Sequence, residues 1–299
     1  MTLLVQALPG GVGAEVIGLD LERPLSVSVT EELNRAWLDH AIVLFRGIGT
    51  SPERQLALSR CFGELEIHPI ENIRVEGHPE LIWLSNKYSK PPVYYYDDVP
   101  TVSRIPWHTD LIYTTTPNRG ALLRMVEKPA TSGMTGWVDT ARAYDGLSPE
   151  MKVRIDDLEA RYEFILNVED MRFGRPNVRR AEGLDEGEEK AFYPDFPDIA
   201  HPLVWTHPVS GRKSLCVAPL FVREIIGLEK AEGDALLAEL VAHATSPEYS
   251  YWHDWAPNDM VLWDNWRTMH STSGHPPEQS RLVHRTTIPG NHAFGRVLD

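Results

Sequence analysis

The chain has 299 residues, 42% hydrophobic and 24% charged, a balance that suits a globular protein with a full core and argues against disordered, collagenous and membrane-spanning classes. Its 43 acidic residues against 29 basic ones give a formal net charge of -14, and no run of Lys or Arg is long enough to follow a phosphate backbone, which argues against nucleic acid as a partner. With only Cys61 and Cys216, read as one helical and one strand residue, neither a disulfide framework nor a CxxC metal site is expected.

The N-terminal MTLLVQALPGG has no basic region ahead of its short apolar stretch, and no segment is apolar for long enough to span a bilayer, so a cytoplasmic protein is expected. Leu3 to Leu19 reads as two short strands around a Pro9-Gly10-Gly11 turn. The glycines there do not make a dinucleotide loop, because Val16 occupies the place of the third glycine and no helix signal follows. Thr30 is placed to cap a helix carrying Leu33, Ala36 and Trp37 on one face, and Ile42 to Phe45 suits a buried strand. A second helix is predicted from Ser51, with Pro52 in its first turn, to near Gly63. Another starts at Ser148, and a long one runs from about Leu228 to Ala244.

From Arg172 to Asp198 the chain turns polar and charged over a length that predicts a lid. Strands follow at Pro202 to Thr206, Ser214 to Ala218, Met260 to Asp264, Thr268 to Ser271 and Arg281 to Ile288, the first two joined as a hairpin by Val209-Ser210-Gly211-Arg212. The pattern is mainly β with flanking helices, a jelly roll, taken as one domain over residues 1–299.

Trp107-His108-Thr109-Asp110 puts His108 and Asp110 two residues apart, on one face of an extended strand, so both can reach one metal ion. One His-x-Asp is weak by itself, but Trp263-Asp264-Asn265 leads to a further imidazole, His270. Two imidazoles and a carboxylate on one face of iron(II) leave three positions for a chelating keto acid and oxygen, whereas zinc sites favour a closed tetrahedral set. Arg281 and Arg285, four apart on a predicted strand with Val283 between them, face one side, and a guanidinium there can bind a carboxylate bidentately.

In order and spacing, GAEVIGLDLERPLS, RCFGELEIHP, WHTD, HPLVWTHPVSGRKSL and the WDN, His270, Arg281 and Arg285 end resemble the taurine dioxygenase and dichlorophenoxyacetate dioxygenase family over nearly the whole chain. The resemblance implies a double-stranded β-helix, iron(II) held by His108, Asp110 and His270, and 2-oxoglutarate as co-substrate. It implies that Arg281 binds the distal carboxylate, assisted by Thr135 of SGMTGW, and that Arg285, His68 and Phe221 lie at the substrate. The expected reaction is hydroxylation of a small organic molecule by O2, with release of succinate and CO2.

Three alternatives stay open. Desaturation or cyclisation begins with the same hydrogen abstraction. A cupin-type jelly roll without redox chemistry needs the three ligands but not Arg281. A non-catalytic binding protein retains the fold alone. The sequence is also compatible with a homo-oligomer. Glu71 and Arg104 depart from the taurine enzymes' tyrosine and asparagine, which suggests a small carboxylate or amino-acid-like substrate rather than taurine. In this reading Arg285 and Glu71 grip the two ends of a zwitterion, and Arg104 takes a second acid group or pairs with Glu71.

Overall fold

The computed structural model describes residues 3–88, 90–181 and 194–298. An eight-stranded sheet runs in the order Leu4–Ala7, Ala14–Ile17, Ile42–Phe45, Met260–Asp264, Gly120–Glu127, Leu282–Ile288, His78–Ser85 and Arg74–Val75. All its neighbours are antiparallel except Ala14–Ile17 with Ile42–Phe45. A six-stranded antiparallel sheet follows the order Val178–Arg180, Tyr94–Tyr96, Val99–His108, Thr268–His275, Thr135–Asp139 and Ser250–His253.

The two sheets pack through Trp137 of the smaller one and Leu123, Trp263 and Val283 of the larger, all members of one buried cluster. This is the jelly roll expected from the sequence. Central strands such as Ile42–Phe45 and Met260–Asp264 are buried at every residue, which is why they read as continuous apolar runs rather than alternating ones. The predicted hairpin forms between Val204–Thr206 and Lys213–Leu215.

Helices cover the outside. The first, Val27–His40, buries Leu33, Ala36 and Trp37 as expected, but it begins one turn earlier: Ser26 Oγ accepts from Val29 N at 3.3 Å, and Thr30 is already inside. The β-branched Val27 and Val29 hid that start, since such residues favour strands. The helix Pro52–Ser59 is capped by Ser51 and stops short of Gly63, while Lys230–Ala244 is capped by the Glu229 carboxylate. Cys61 and Cys216 are free thiols, each just beyond a helix or strand rather than within it. No described helix is long and apolar enough to cross a membrane. Part of the expected lid is a strand, Val178–Arg180 against Tyr94–Tyr96, and residues 182–193 of it lie outside the described residues.

Two histidines, His201 buried and His284 half-buried, predict an acid-sensitive fold. His201 is fully buried, with Nε2 against the carbonyls of Ile112 (2.8 Å) and Thr114 (3.1 Å) and Nδ1 without a partner among the described residues, and burial lowers its pKa to about 4. Burial, together with Arg124 beside it, takes His284 to about 4 as well. Both are neutral when folded, and both titrate near 6.5 when exposed. Between those values the unfolded chain binds protons that the native state does not, so stability is full above about pH 6.5 and declines as pH falls towards 4. Denaturant midpoints measured from pH 7 to 4 should fall across that window, and His201→Gln should flatten the slope. An unchanged slope in that variant would show that this imidazole is not a source.

Candidate active site

Strand pairing builds the site. In the ladder between Thr268–His275 and Val99–His108, His270 is the direct partner of His108, and the two rings lie 4.0 Å apart between centroids. A cross-strand pair on one face brings side chains this close without help from any loop. The strand ends at His108, so Asp110 is not on it, contrary to the sequence expectation; it sits in the following turn, where Leu111 has φ 55°. That turn folds the carboxylate back, and Asp110 Oδ1 lies 3.6 Å from His108 Nε2 and 3.7 Å from His270 Nε2.

These separations are too long for hydrogen bonds, but they fit donors sharing one ion, since two ligands each about 2.1 Å from a metal can be up to ~4.2 Å apart. His108 Nδ1 faces the Pro106 carbonyl at 2.8 Å. A carbonyl only accepts, so Nδ1 carries the proton and Nε2 turns its lone pair towards Asp110. His270 is held between the rings of His108 and Trp263, tilted 47° to the first and 48° to the second, with the Trp263 ring 5.0 Å away. Among the described residues this His-Asp-His group is the one cluster with metal-ligand spacing.

Burial alone would raise the Asp110 carboxyl, but the charge of Arg285, with the two imidazoles beside it, outweighs that and holds the group well below the carboxylate range. Arg285 Nη2 donates to Asp110 Oδ2 at 2.7 Å, which leaves Oδ1 as the oxygen facing the imidazoles. Burial, then the neighbouring His108, keeps His270 well below the usual imidazole value.

A cavity of about 590 Å³ opens beside this cluster, a size typical of sites for small organic ligands. Arg281, Val283 and Arg285 all line it, as the period-two reading of that strand required. Arg281 is 7% exposed, and among the described residues no carboxylate pairs with it. Its Nε donates to Gly133 O at 3.3 Å and its Nη2 to Thr135 Oγ1 at 3.4 Å, and burial lowers its pKa to about 10. Thr135 is fully buried and also accepts from Trp255 Nε1 at 3.0 Å. A buried guanidinium held by neutral groups favours an incoming anion.

The family described as "Taurine catabolism dioxygenase TauD, TfdA family" matches residues 4–287. The chain belongs to this family. The (S)-phenoxypropionate/alpha-ketoglutarate-dioxygenase of Sphingobium herbicidovorans is 32% identical, with 98% of this chain and 97% of that protein covered. The crystal structure of a taurine dioxygenase from Burkholderia xenovorans superposes with a TM-score of 0.78 at 28% identity, covering 99% of this chain and 95% of the other. That of AAD-2 in complex with Mn(II) and N-oxalylglycine gives 0.76 at 28% identity, covering 98% and 100%. The protein is an iron(II)- and 2-oxoglutarate-dependent dioxygenase that acts with O2 on a small molecule, and a non-redox metal protein or a non-catalytic relative is set aside.

The other expected residues of the dioxygenase are placed less uniformly. Arg104 lines the cavity, exposed, with its guanidinium 4.2 Å over the Tyr96 ring. Phe221 is buried behind the metal cluster, edge-on to His108 at 6.4 Å, and Leu220 rather than Phe221 contributes to the cavity wall. His68 is half-buried, its Nδ1 accepting from Ile70 N, and it does not line the cavity; burial lowers its pKa, and the nearby Arg285 adds to that. Glu71 departs furthest from the expectation. Its carboxylate is 85% exposed, pairs with Arg74 at 3.2 Å rather than with Arg104, and is absent from the cavity wall, because a short helical turn at Glu71–Ile73 directs it to solvent.

Sequence reasoning missed Trp255 as the second partner of Thr135, and Asn86, whose Oδ1 accepts from Arg281 N at 3.0 Å. No local pattern marks either. Thr135→Val keeps the shape of the side chain but strands the Trp255 N–H and one arm of Arg281, so it should lower unfolding free energy by about 1–3 kcal/mol in urea titration. A neutral result would mean that neither bond matters to the fold.

Proposed function

We propose that His108, Asp110 and His270 hold the iron, that Arg281 with Thr135 receives the distal carboxylate of 2-oxoglutarate, and that Arg285 meets an anionic group of the substrate. The observation that carries this is the buried Arg281, lacking a described carboxylate partner, in the same cavity as the His-Asp-His cluster. When bound, iron(II) and 2-oxoglutarate supply O2 activation: the keto acid is decarboxylated to succinate and CO2 as one oxygen atom enters it and the other goes to the substrate. The chain's own residues orient and exclude. Arg281 and Thr135 set the direction of the co-substrate, while Trp83, Ile105, Phe164, Ile165 and Leu220 form walls that keep water from the reacting C–H bond.

The same lining supports the substrate class. Arg104, Arg281 and Arg285 face the cavity against one carboxylate, Asp110, and most of the remaining surface is apolar. With Glu71 in solvent, nothing described in the wall matches an ammonium group. The substrate in this reading is an organic acid with an apolar body, and the zwitterion grip between Arg285 and Glu71 is given up. Hydroxylation is the outcome. The relative from Sphingobium, named for phenoxypropionate, acts on a molecule of this kind. The chain works in the cytoplasm, and its acidic surface keeps it off nucleic acid.

Anaerobic addition of iron(II) and 2-oxoglutarate to the purified protein should produce the visible charge-transfer band of the chelate, and His108→Ala, Asp110→Ala or His270→Ala should each remove it. Arg281→Ala should weaken 2-oxoglutarate by about 2 kcal/mol or more, roughly thirtyfold, because a charge-assisted bidentate pair is lost in a buried site. Parent-like bands in the ligand variants, or unchanged affinity in the arginine variant, would refute the assignment.

A panel scored by succinate release should separate apolar acids, such as aryl- or alkyl-substituted carboxylates, from amino acids and taurine. Turnover should be coupled for the first group alone. Preference for taurine or an amino acid would overturn the proposed substrate class.

A further inference from the structure

Asp110 lies outside the strand ladders, so its backbone N–H and C=O need partners elsewhere. One side chain supplies both. Asn265 Oδ1 accepts from Asp110 N at 3.0 Å, and Asn265 Nδ2 donates to Asp110 O at 3.0 Å. The same Nδ2 faces Asn118 O and Oδ1, each at 3.0 Å, and Asn265 is 1% exposed.

Asn265 is itself bonded through its backbone. It sits in the turn between Met260–Asp264 and Thr268–His275, where Asp264 N donates to Ala41 O, Asn265 N to Arg119 O and Arg267 N to Asp264 O. The Asp264 carboxylate accepts from Trp266 N at 3.1 Å and meets His207 Nε2 at 3.0 Å. This turn leads directly into the strand that bears His270. The amide of Asn265 therefore ties the residue carrying the carboxylate to the segment carrying the second imidazole.

We propose that Asn265 is a positioning residue for the metal centre: by holding both backbone polar groups of Asp110, it sets where the carboxylate stands relative to His108 and His270. The inference rests on the reading of His108, Asp110 and His270 as the iron ligands. Asn265 touches neither metal nor substrate, and its effect passes through the backbone of Asp110. An amide is suited to the task, since its oxygen accepts and its nitrogen donates across the span of one peptide residue. Within the turn itself, where Leu111 has φ 55°, Thr114 N and Oγ1 donate to Leu111 O at 2.9 and 2.7 Å, bonds that reach neither backbone polar group of Asp110.

The test uses the metal-free protein and Co(II) as the probe, with affinity and geometry read from the visible d–d absorption and folding from thermal melting. Asn265→Ala removes both bonds, and Asn265→Ser keeps a small polar group that cannot span them, giving a second chance of a folded variant. Thr140→Val is the control, because Thr140 Oγ1 donates to Arg267 O at 2.9 Å in the same buried turn without touching Asp110. Each folded Asn265 variant should bind Co(II) tenfold or more weakly, with altered band intensity, as expected when a group that orients a metal ligand is lost. Thr140→Val should melt earlier yet bind Co(II) within twofold of the parent. A folded Asn265 variant with parent affinity and spectrum, or an equal loss of affinity in Thr140→Val, would overturn the proposal. His108→Ala separates the two readings. If it binds Co(II) as the parent does, the metal site itself is misassigned; if it loses Co(II) while the Asn265 variants keep it, only the positioning role fails.

Discussion

The register of one strand pair, His270 opposite His108, is the constraint on which the rest of the site depends. Side chains alternate along a strand, so a slip of one residue would send His270 to the other face and leave no pair of imidazoles facing the cavity. The register is held from both flanks. Thr109 Oγ1 donates to Thr268 O at 3.1 Å, and Thr272 is paired with Thr135 on the other neighbouring strand. The same ladder that places the second imidazole therefore also places Thr135, and through it one arm of Arg281.

Electrostatics are arranged around that frame with little redundancy. Two arginines approach the cluster in different ways: Arg285 is already engaged with Asp110, while Arg281 is buried among neutral partners. A charge left among neutral dipoles is costly until an anion arrives, which favours ligand binding over stability at this point. The free energy that offsets this comes from elsewhere, including the apolar cluster of Trp137, Trp255, Trp263 and their neighbours between the sheets. Core and site share residues, since Trp263 packs against both Trp137 and His270.

The cavity wall gives the proposed substrate class a physical basis. An apolar surface contributes by area and discriminates weakly between similar hydrocarbon groups, whereas guanidinium groups at fixed points discriminate strongly by charge. In the proposed assignment the site is exacting about the presence of an acid group and tolerant about the body attached to it.

The chemistry was legible in the sequence because metal and anion binding need particular atoms: two imidazoles, a carboxylate and a guanidinium at spacings a strand can present. His108, His270 and Arg281 could be found that way, and the buried runs at Ile42 to Phe45 and Met260 to Asp264 showed the core strands. Position within loops was not legible. Asp110 was expected on a strand and lies in a turn, Glu71 was expected at the substrate and faces solvent, and Asn265 stood in view within WDN without a role. Strand residues inherit their direction from the period of two, which is written locally, so a spacing predicts a face. A loop residue takes its direction from hydrogen bonds to segments distant in sequence, 155 positions away for Asn265 and Asp110, and only the folded chain decides those partners.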